Sequence, residues 1–403
     1  MGKITNLGVL DVREIKEDLA KEITQMENIG LLIESDESQV LLKHANKINI
    51  GTSMKIPLGL NLKFVMKNGE MIIDKEYLES IVDPIAIIMN GILVFKKGID
   101  PKVLDEMIYT IVLNGRLISP KKLSGLIESK GMINGEILSY TSDYEFFCGT
   151  TEITNRFLKV LKPDSKLAFE NLVIINNIDM DIFKEKISNI QVLKKLIIIN
   201  DYEDEIAQLI DEYYGINKTV IPNSSKGFIY IEDDIKLDNN SIKKYKGNGL
   251  YINGVAEIEF EENIDFQNHI ECLICDKVIC DEKTYNMIKD SLSDEVEVEI
   301  IKGRLINNKG KMVISEDLEQ EVTIKNMGKL IFNENLNADN LEKSVSEIIN
   351  YGLIEAPKNL INIITKKVKQ NYGKIREPIE KNEEVQKEEK EDILYSNMAM
   401  LKL

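Results

Sequence analysis

The chain has 403 residues, 43% of them hydrophobic, and a formal net charge of −17. That acidity repels phosphate backbones and anionic lipid, so neither nucleic acid nor a membrane surface is an expected partner. Four cysteines are too few for a disulfide framework, and no apolar run approaches membrane-spanning length, so a cytoplasmic protein is expected. Heavy use of Ile, Lys and Asn with no Trp suggests an AT-rich, bacterial genome.

Residues 1–60 form an irregular start, expected to be an N-terminal capping region. Val12 to Met26 predicts an amphipathic helix, with Ile15, Leu19, Ile23 and Met26 on one face. Gly30–Ile33 and Ile48–Gly51 read as short strands around a helix at Gln39–Ala45.

Residues 61–220 read as a first repeat array. Its unit opens on Asn-Gly, as at Asn68-Gly69, Asn90-Gly91, Asn114-Gly115 and Asn134-Gly135, each followed by apolar alternation. Asn-Gly tolerates positive φ, so the chain can turn sharply between two short strands. A helix start follows: Asp74, Asp100 and Ser119 occupy the N-cap slot, with a Leu four residues on at Leu78, Leu104 and Leu123. Pro101 and Pro120 stand at the first helical position, where a missing N–H is harmless. Asn90 and Asn114 are 24 residues apart, and Asn114 and Asn134 are 20 apart. Periods of this length, with a strand and a short helix per unit, belong to stacked repeats. The predicted fold is therefore α/β: a repeat solenoid with short strands and one short helix per unit of about 20–26 residues.

Leu193-Lys-Lys-Leu196-Ile-Ile198 and Ile108-Tyr-Thr-Ile111-Val-Leu113 resemble the Leu-x-x-Leu-x-Leu core of leucine-rich-repeat-like α/β solenoid proteins. The resemblance covers roughly residues 60–370 at the level of architecture. It implies a curved stack, a parallel sheet with helices behind it, and a habit of binding protein. It transfers no functional residue.

Residues 139–164 interrupt the pattern and read as an insertion. Insertions in repeat arrays gather on one face, often the binding face, so Tyr140, Tyr144, Phe146 and Phe147 form a candidate protein-contact patch. A polar loop at 221–227 precedes a second array over 221–375, where Asp238 and Asn337 again supply N-caps. The acidic stretches Glu257–Glu262 and Asp294–Glu299 alternate with apolar residues, as solvated strand faces do.

Residues 376–392 are almost wholly charged and read as a disordered linker. Apolarity returns at 393–403, where Ile393, Leu394, Tyr395, Met398, Met400, Leu401 and Leu403 form a candidate docking peptide on a tether. The alternative is that the segment folds back on its own body.

One cluster suggests metal chemistry: His269, Cys272, Cys275 and Cys280. It lacks the second Cys pair of a zinc site, and Cys280 falls in the N-cap slot of its unit, so core packing is the expected role and no metal or cofactor is assigned. No phosphate-binding glycine loop occurs, and the two histidines, His44 and His269, lie far apart in sequence. The chain is expected to be a non-catalytic protein-binding scaffold with a tethered C-terminal docking peptide, its partner another protein or itself. A self-assembling coat or filament subunit is the first alternative. A metal protein or enzyme built on the His269–Cys280 cluster is the second.

Overall fold

A computed structural model describes residues 2–60, 62–378 and 393–403. The expected charged linker at 376–392 lies outside the described residues beyond its first three positions. The chain is α/β, and parallel strand pairing runs through each of its sheets.

The strands gather into blocks whose neighbouring levels follow sequence order, except that β25 lies beside β1 in the first. The first block holds β1 (Gly2–Asp11), α1 (Glu17–Glu22), β2 (Ile23–Glu34), α2 (Asp36–Leu41) and β3 (Asn46–Lys55). The second holds β4 (Lys63–Ile73), α3 (Lys75–Ser80), β5 (Ile85–Phe95), α4 (Pro101–Met107), β6 (Ile108–Pro120), α5 (Lys121–Ser129) and β7 (Gly131–Tyr140). The third holds β8 (Glu145–Glu152), α6 (Asn155–Val160), β9 (Ser165–Ile174), α7 (Met180–Lys186), β10 (Ile187–Ile199), α8 (Asn200–Ala207) and β11 (Asn217–Ile221). In the fourth, β12 (Phe228–Ile231) and β13 (Ile235–Leu237) share one level beside β14 (Asn248–Ile258), β15 (Ile270–Asp281), α9 (Glu282–Ile288) and β16 (Glu297–Ile301).

In the fifth block each level is split by a corner into two strands. These are β17 (Arg304–Asn308) and β18 (Lys311–Ile314), then β19 (Val322–Asn326) and β20 (Lys329–Phe332). After α10 (Ala338–Ser344) come β21 (Val345–Asn350) and β22 (Leu353–Glu355), and after α11 (Lys358–Lys367) come β23 (Val368–Asn371) and β24 (Lys374–Arg376). The last strand is β25 (Ile393–Lys402).

The molecule divides into two compact units, residues 1–138 with 382–403, and residues 139–381. The division therefore falls at 138/139, inside the last residues of β7, and not at the polar loop 221–227. That loop does separate two sheets, ending one at β11 and preceding the next at β12. The expected insertion at 139–164 is a regular strand and helix, β8 and α6, that open the third block.

The corners explain the Asn-Gly pairs. Asn68-Gly69, Asn90-Gly91 and Asn114-Gly115 lie inside continuous strands, and they align level by level. Gly69, Gly91, Gly115 and Gly135 have φ of 95°, 137°, 142° and 149°, respectively. Each Asn donates a 3.0 Å side-chain hydrogen bond to the Asn one level back: Asn90 to Asn68, Asn114 to Asn90, Asn134 to Asn114. The chain thus turns a corner without reversing into a hairpin.

Central strands are buried on both faces. Successive strand residues point to opposite sides. Leu172 and Ile174 join an inner core with Leu196 and Ile198, while Val173, Ile175, Ile197 and Ile199 join a second apolar layer with Phe228, Tyr251 and Ile274. A similar second layer packs Val9, Leu31 and Ile33 against Ala86. Continuous apolar runs such as Leu-Ile-Ile-Ile are what a parallel sheet covered on both faces requires.

The helix expected over Val12–Met26 is only Glu17–Glu22, and Ile23 and Met26 belong to β2. Asn28, at φ 55°, bends that strand, so Ile23, Met26, Ile29 and Leu32 all reach one core at three-residue spacing. The bent strand imitates helical periodicity. Of the expected N-caps, Asp74, Asp100 and Asn337 accept first-turn amides as predicted. Asp238 accepts from Asn240 and Ser241 at the head of a 3-10 turn. Ser119 is no cap: it is the buried penultimate residue of β6, with its hydroxyl 3.0 Å from that of Ser124.

Candidate functional site

Each of the blocks two to five contains four levels drawn from consecutive sequence. The first block has only three such levels, and its fourth comes from the far end of the sequence. The sheet order is β25-β1-β2-β3. β25 pairs in parallel with β1, with Ile4 opposite Tyr395, Leu7 opposite Met398, Val9 opposite Met400 and Leu10 opposite Leu401.

The corner geometry of the block runs through β25 without a break. Asn397, Asn6, Asn28 and Asn49 all adopt left-handed backbone, with φ of 57°, 57°, 55° and 51°. Asn tolerates this conformation better than most residues. Asn49 donates to Asn28 at 2.7 Å, Asn28 to Asn6 at 3.0 Å, and Asn6 to Asn397 at 3.3 Å. Two residues on stand Gly51, Gly30 and Gly8. A Cβ on Gly51 would sit 2.7 Å from the Gly30 carbonyl oxygen, and one on Gly30 2.7 Å from that of Gly8. A Cβ on Gly8 would sit 2.6 Å from the carbonyl oxygen of Ala399. Each glycine is needed because the preceding level lies so close. Ala399 occupies the same place on the outermost level, where no described level precedes it, and its side chain is exposed.

Side chains fasten the strand on both faces. Leu394, Tyr395, Leu401 and Leu403 pack against the core that includes Ile4, Leu7 and Leu10. Met400 joins the second layer beside Val9 and Leu31. Leu394 lies where a side chain on Gly2 would be. The amide of Leu403 donates to the Asp11 carbonyl at 2.9 Å, and Lys402 pairs with Glu14 at 3.1 Å. Asp11 and Arg13 hold this end of β1 through a buried bidentate pair, Nε to Oδ1 at 2.9 Å and Nη2 to Oδ2 at 2.8 Å. Its hydrogen bond to Asp11 raises the Arg13 pKa above the ordinary guanidinium value, against the opposing effect of burial.

The sequence-predicted residues fare differently. Ile393, Leu394, Tyr395, Met398, Met400, Leu401 and Leu403 come together along one strand edge, with Ile393 and Met398 the exposed members. They stand on the chain's own β1, so the segment is no free tether. Tyr140, Tyr144 and Phe146 are buried, and Phe147 is half-buried. Tyr140 stacks on Phe146 at 5.0 Å and Phe147 on Phe169 at 5.2 Å, so these rings pack the third block and offer no exposed patch. Phe146 and Phe147 belong to β8, Tyr140 ends β7, and Tyr144 lies in the bend between the two strands, where its hydroxyl donates to Asp211 at 2.8 Å.

His269 precedes β15, and the three cysteines lie along that strand facing different cores. Cys275 and Cys280 face the inner core, and Cys272 packs on the second layer. Burial pushes the Cys275 and Cys280 thiols up to about 12 and raises that of Cys272 as well. Among the described residues no group of three His, Cys, Asp or Glu side chains is placed to hold a metal ion. The N-cap of α9 is Asp281, which accepts from the Thr284 amide at 2.7 Å, and not Cys280.

Asn6, Asn397, Gly2, Gly8 and Ala399 escaped the sequence reading, although a signal exists. Ile4-Thr-Asn-Leu-Gly-Val-Leu10, Met26-Glu-Asn-Ile-Gly-Leu-Leu32 and Tyr395-Ser-Asn-Met-Ala-Met-Leu401 share one pattern: apolar, polar, Asn, apolar, small, apolar, Leu. No protein-family model, no curated protein and no solved structure significantly matches this chain.

Proposed function

We propose that the protein is a non-catalytic, cytoplasmic protein-binding scaffold of solenoid type, engaged by strand addition at the outer edge of its first block. The observation that carries this reading is β25 itself, a segment remote in sequence that is held as a parallel edge strand. Strand addition takes affinity from main-chain hydrogen bonds and selectivity from alternate side-chain pockets. Both are present at β1: its edge pairs through Asp11, and its specificity elements are Gly2, Gly8 and Asn6. Burial of both faces of the central strands favours edges over sheet faces as the contact surface.

The test uses full-length protein carrying Tyr395→Asp and Leu401→Asp, which weaken its own β25. A fluorescein-labelled peptide of residues 393–403 is titrated against it and followed by anisotropy. The expected result is saturable binding at least about tenfold tighter than to unmodified protein, whose edge is already occupied. Equal binding to both proteins, or none to a folded variant, removes the reading.

A self-assembling role is favoured by one particular: the strand donor and the strand acceptor are parts of the same chain.

A further inference from the structure

The β1 edge has a defined occupant in this structure, and the same occupant is carried by every copy of the chain. We propose that β25 is an exchangeable level, and that the partner fitted by the β1 edge is β25 of a second copy. This rests on the strand-addition reading above and names its partner.

Three observations carry it. First, Tyr395–Leu401 repeats the pattern of Ile4–Leu10 and Met26–Leu32, so β25 is a level of the first block displaced in sequence order. Without it that block has three levels where each of the others has four. A displaced element identical in every copy is the ordinary material of domain swapping. Second, the contacts that select the segment are local and complementary: Leu394 over Gly2, the Ala399 carbonyl against Gly8, and Asn397 accepting from Asn6. They do not depend on which chain supplies the strand. Third, β25 is only partly buried, with Asn397, Met398 and Ala399 exposed, so its release exposes far less core than the loss of β1 or β2 would.

Ala399 sets a limit on what can follow. In this register the small residue of each level points its Cβ side at the carbonyl of the level before it. Gly8, Gly30 and Gly51 leave room for that carbonyl, and Ala399 does not. A further parallel level in the same register would meet the Ala399 methyl group. Self-association through this end therefore proceeds by handing over β25, and not by stacking one copy on the β25 edge of another.

Two full-length variants test the proposal by complementation. The acceptor carries Tyr395→Asp and Leu401→Asp, which disable its own β25 and leave its β1 edge intact. The donor carries Gly8→Val, whose side chain would collide with the Ala399 carbonyl, and keeps β25 intact. Gly2→Leu, which takes the space of Leu394, serves as a second and milder donor. Each variant alone should run as a single species by size-exclusion chromatography with light scattering. Their mixture should contain a 1:1 complex of twice the mass, competed away by the peptide of residues 393–403. Circular dichroism and thermal melts establish that each variant is folded. Folded variants that give no complex with either donor overturn the proposal. If the peptide still binds the acceptor variant, strand addition stands and only the second copy as partner falls. If neither peptide nor donor binds, both readings fall together.

Discussion

Asn350 is wholly buried, and its polar atoms are all engaged. Its Nδ2 donates to Asn371 at 2.8 Å, and its Oδ1 accepts from Asn326 at 2.8 Å and from the Gly352 amide at 3.2 Å. Removing the side chain takes a partner from the buried Asn326 amide group and from the half-buried Gly352 amide. Asn350→Leu should destabilise the fifth block by about 2–4 kcal/mol, the usual penalty for one or two buried unpaired groups. Chemical denaturation measures it. Asn397→Ala, at the exposed end of the corresponding ladder in the first block, should cost less than about 1 kcal/mol. The cysteines give a second expectation at this scale. Cys275 and Cys280 are buried with thiols pushed up to about 12, so they should stay unmodified by a thiol reagent at pH 8 and react only in denaturant. Counting modified cysteines by mass spectrometry in native and unfolded protein decides it. The Asn-Gly corners of β4 to β7 were legible because the pair itself is a turn signal. The corners Asn308-Lys-Gly310, Asn326-Met-Gly328, Asn350-Tyr-Gly352 and Asn371-Tyr-Gly373 were not, because an intervening residue hides them.

An element's stability can be read from the charges that tie it to its neighbour. β24 ends in Arg376, whose guanidinium donates to Glu355 on β22 at 2.9 Å, and Lys329 on β20 reaches the same carboxylate at 2.8 Å. The hydrogen bond from Lys329, followed by that from Arg376, holds the Glu355 carboxyl below its ordinary range. A carboxyl whose folded pKa is depressed contributes stability that is fully present above its unfolded value, about 4.3, and is lost as pH falls through the folded one. Acidification from pH 5 to pH 3 should therefore speed amide exchange in β22 and β24, and Glu355→Gln should flatten that response. An identical pH response in the variant would remove Glu355 as its source. Strand and helix types were legible where a polar N-cap marks the boundary, as at Asp74 and Asp100. They were misread in the first block, where left-handed asparagines give a strand the three-residue spacing of a helix.

For the molecule as a whole, composition signals and packing divide the chain at different places. The polar loop at 221–227 looks like a boundary, yet Phe228, Tyr251 and Ile274 pack across it onto Val173, Ile197 and Ile221. A second apolar layer, invisible to any local pattern, joins the blocks on either side. Conversely, the first unit includes residues from both ends of the sequence, because β25 returns to β1. This arrangement makes a specific demand on cooperativity. Loss of β25 removes the half-buried Leu394, Tyr395, Leu401 and Leu403 from the core of the first block, and uncovers the edge of β1. Residues 139–381 form their own compact unit with their own cores. In full-length protein carrying Tyr395→Asp and Leu401→Asp, hydrogen exchange should therefore accelerate at least about tenfold in β1, corresponding to about 1.4 kcal/mol or more of lost protection. Exchange in β9 and β10 should stay unchanged. Acceleration spread evenly over both units would mean that the strand stabilises the chain globally, and the first block would then not be the element it completes.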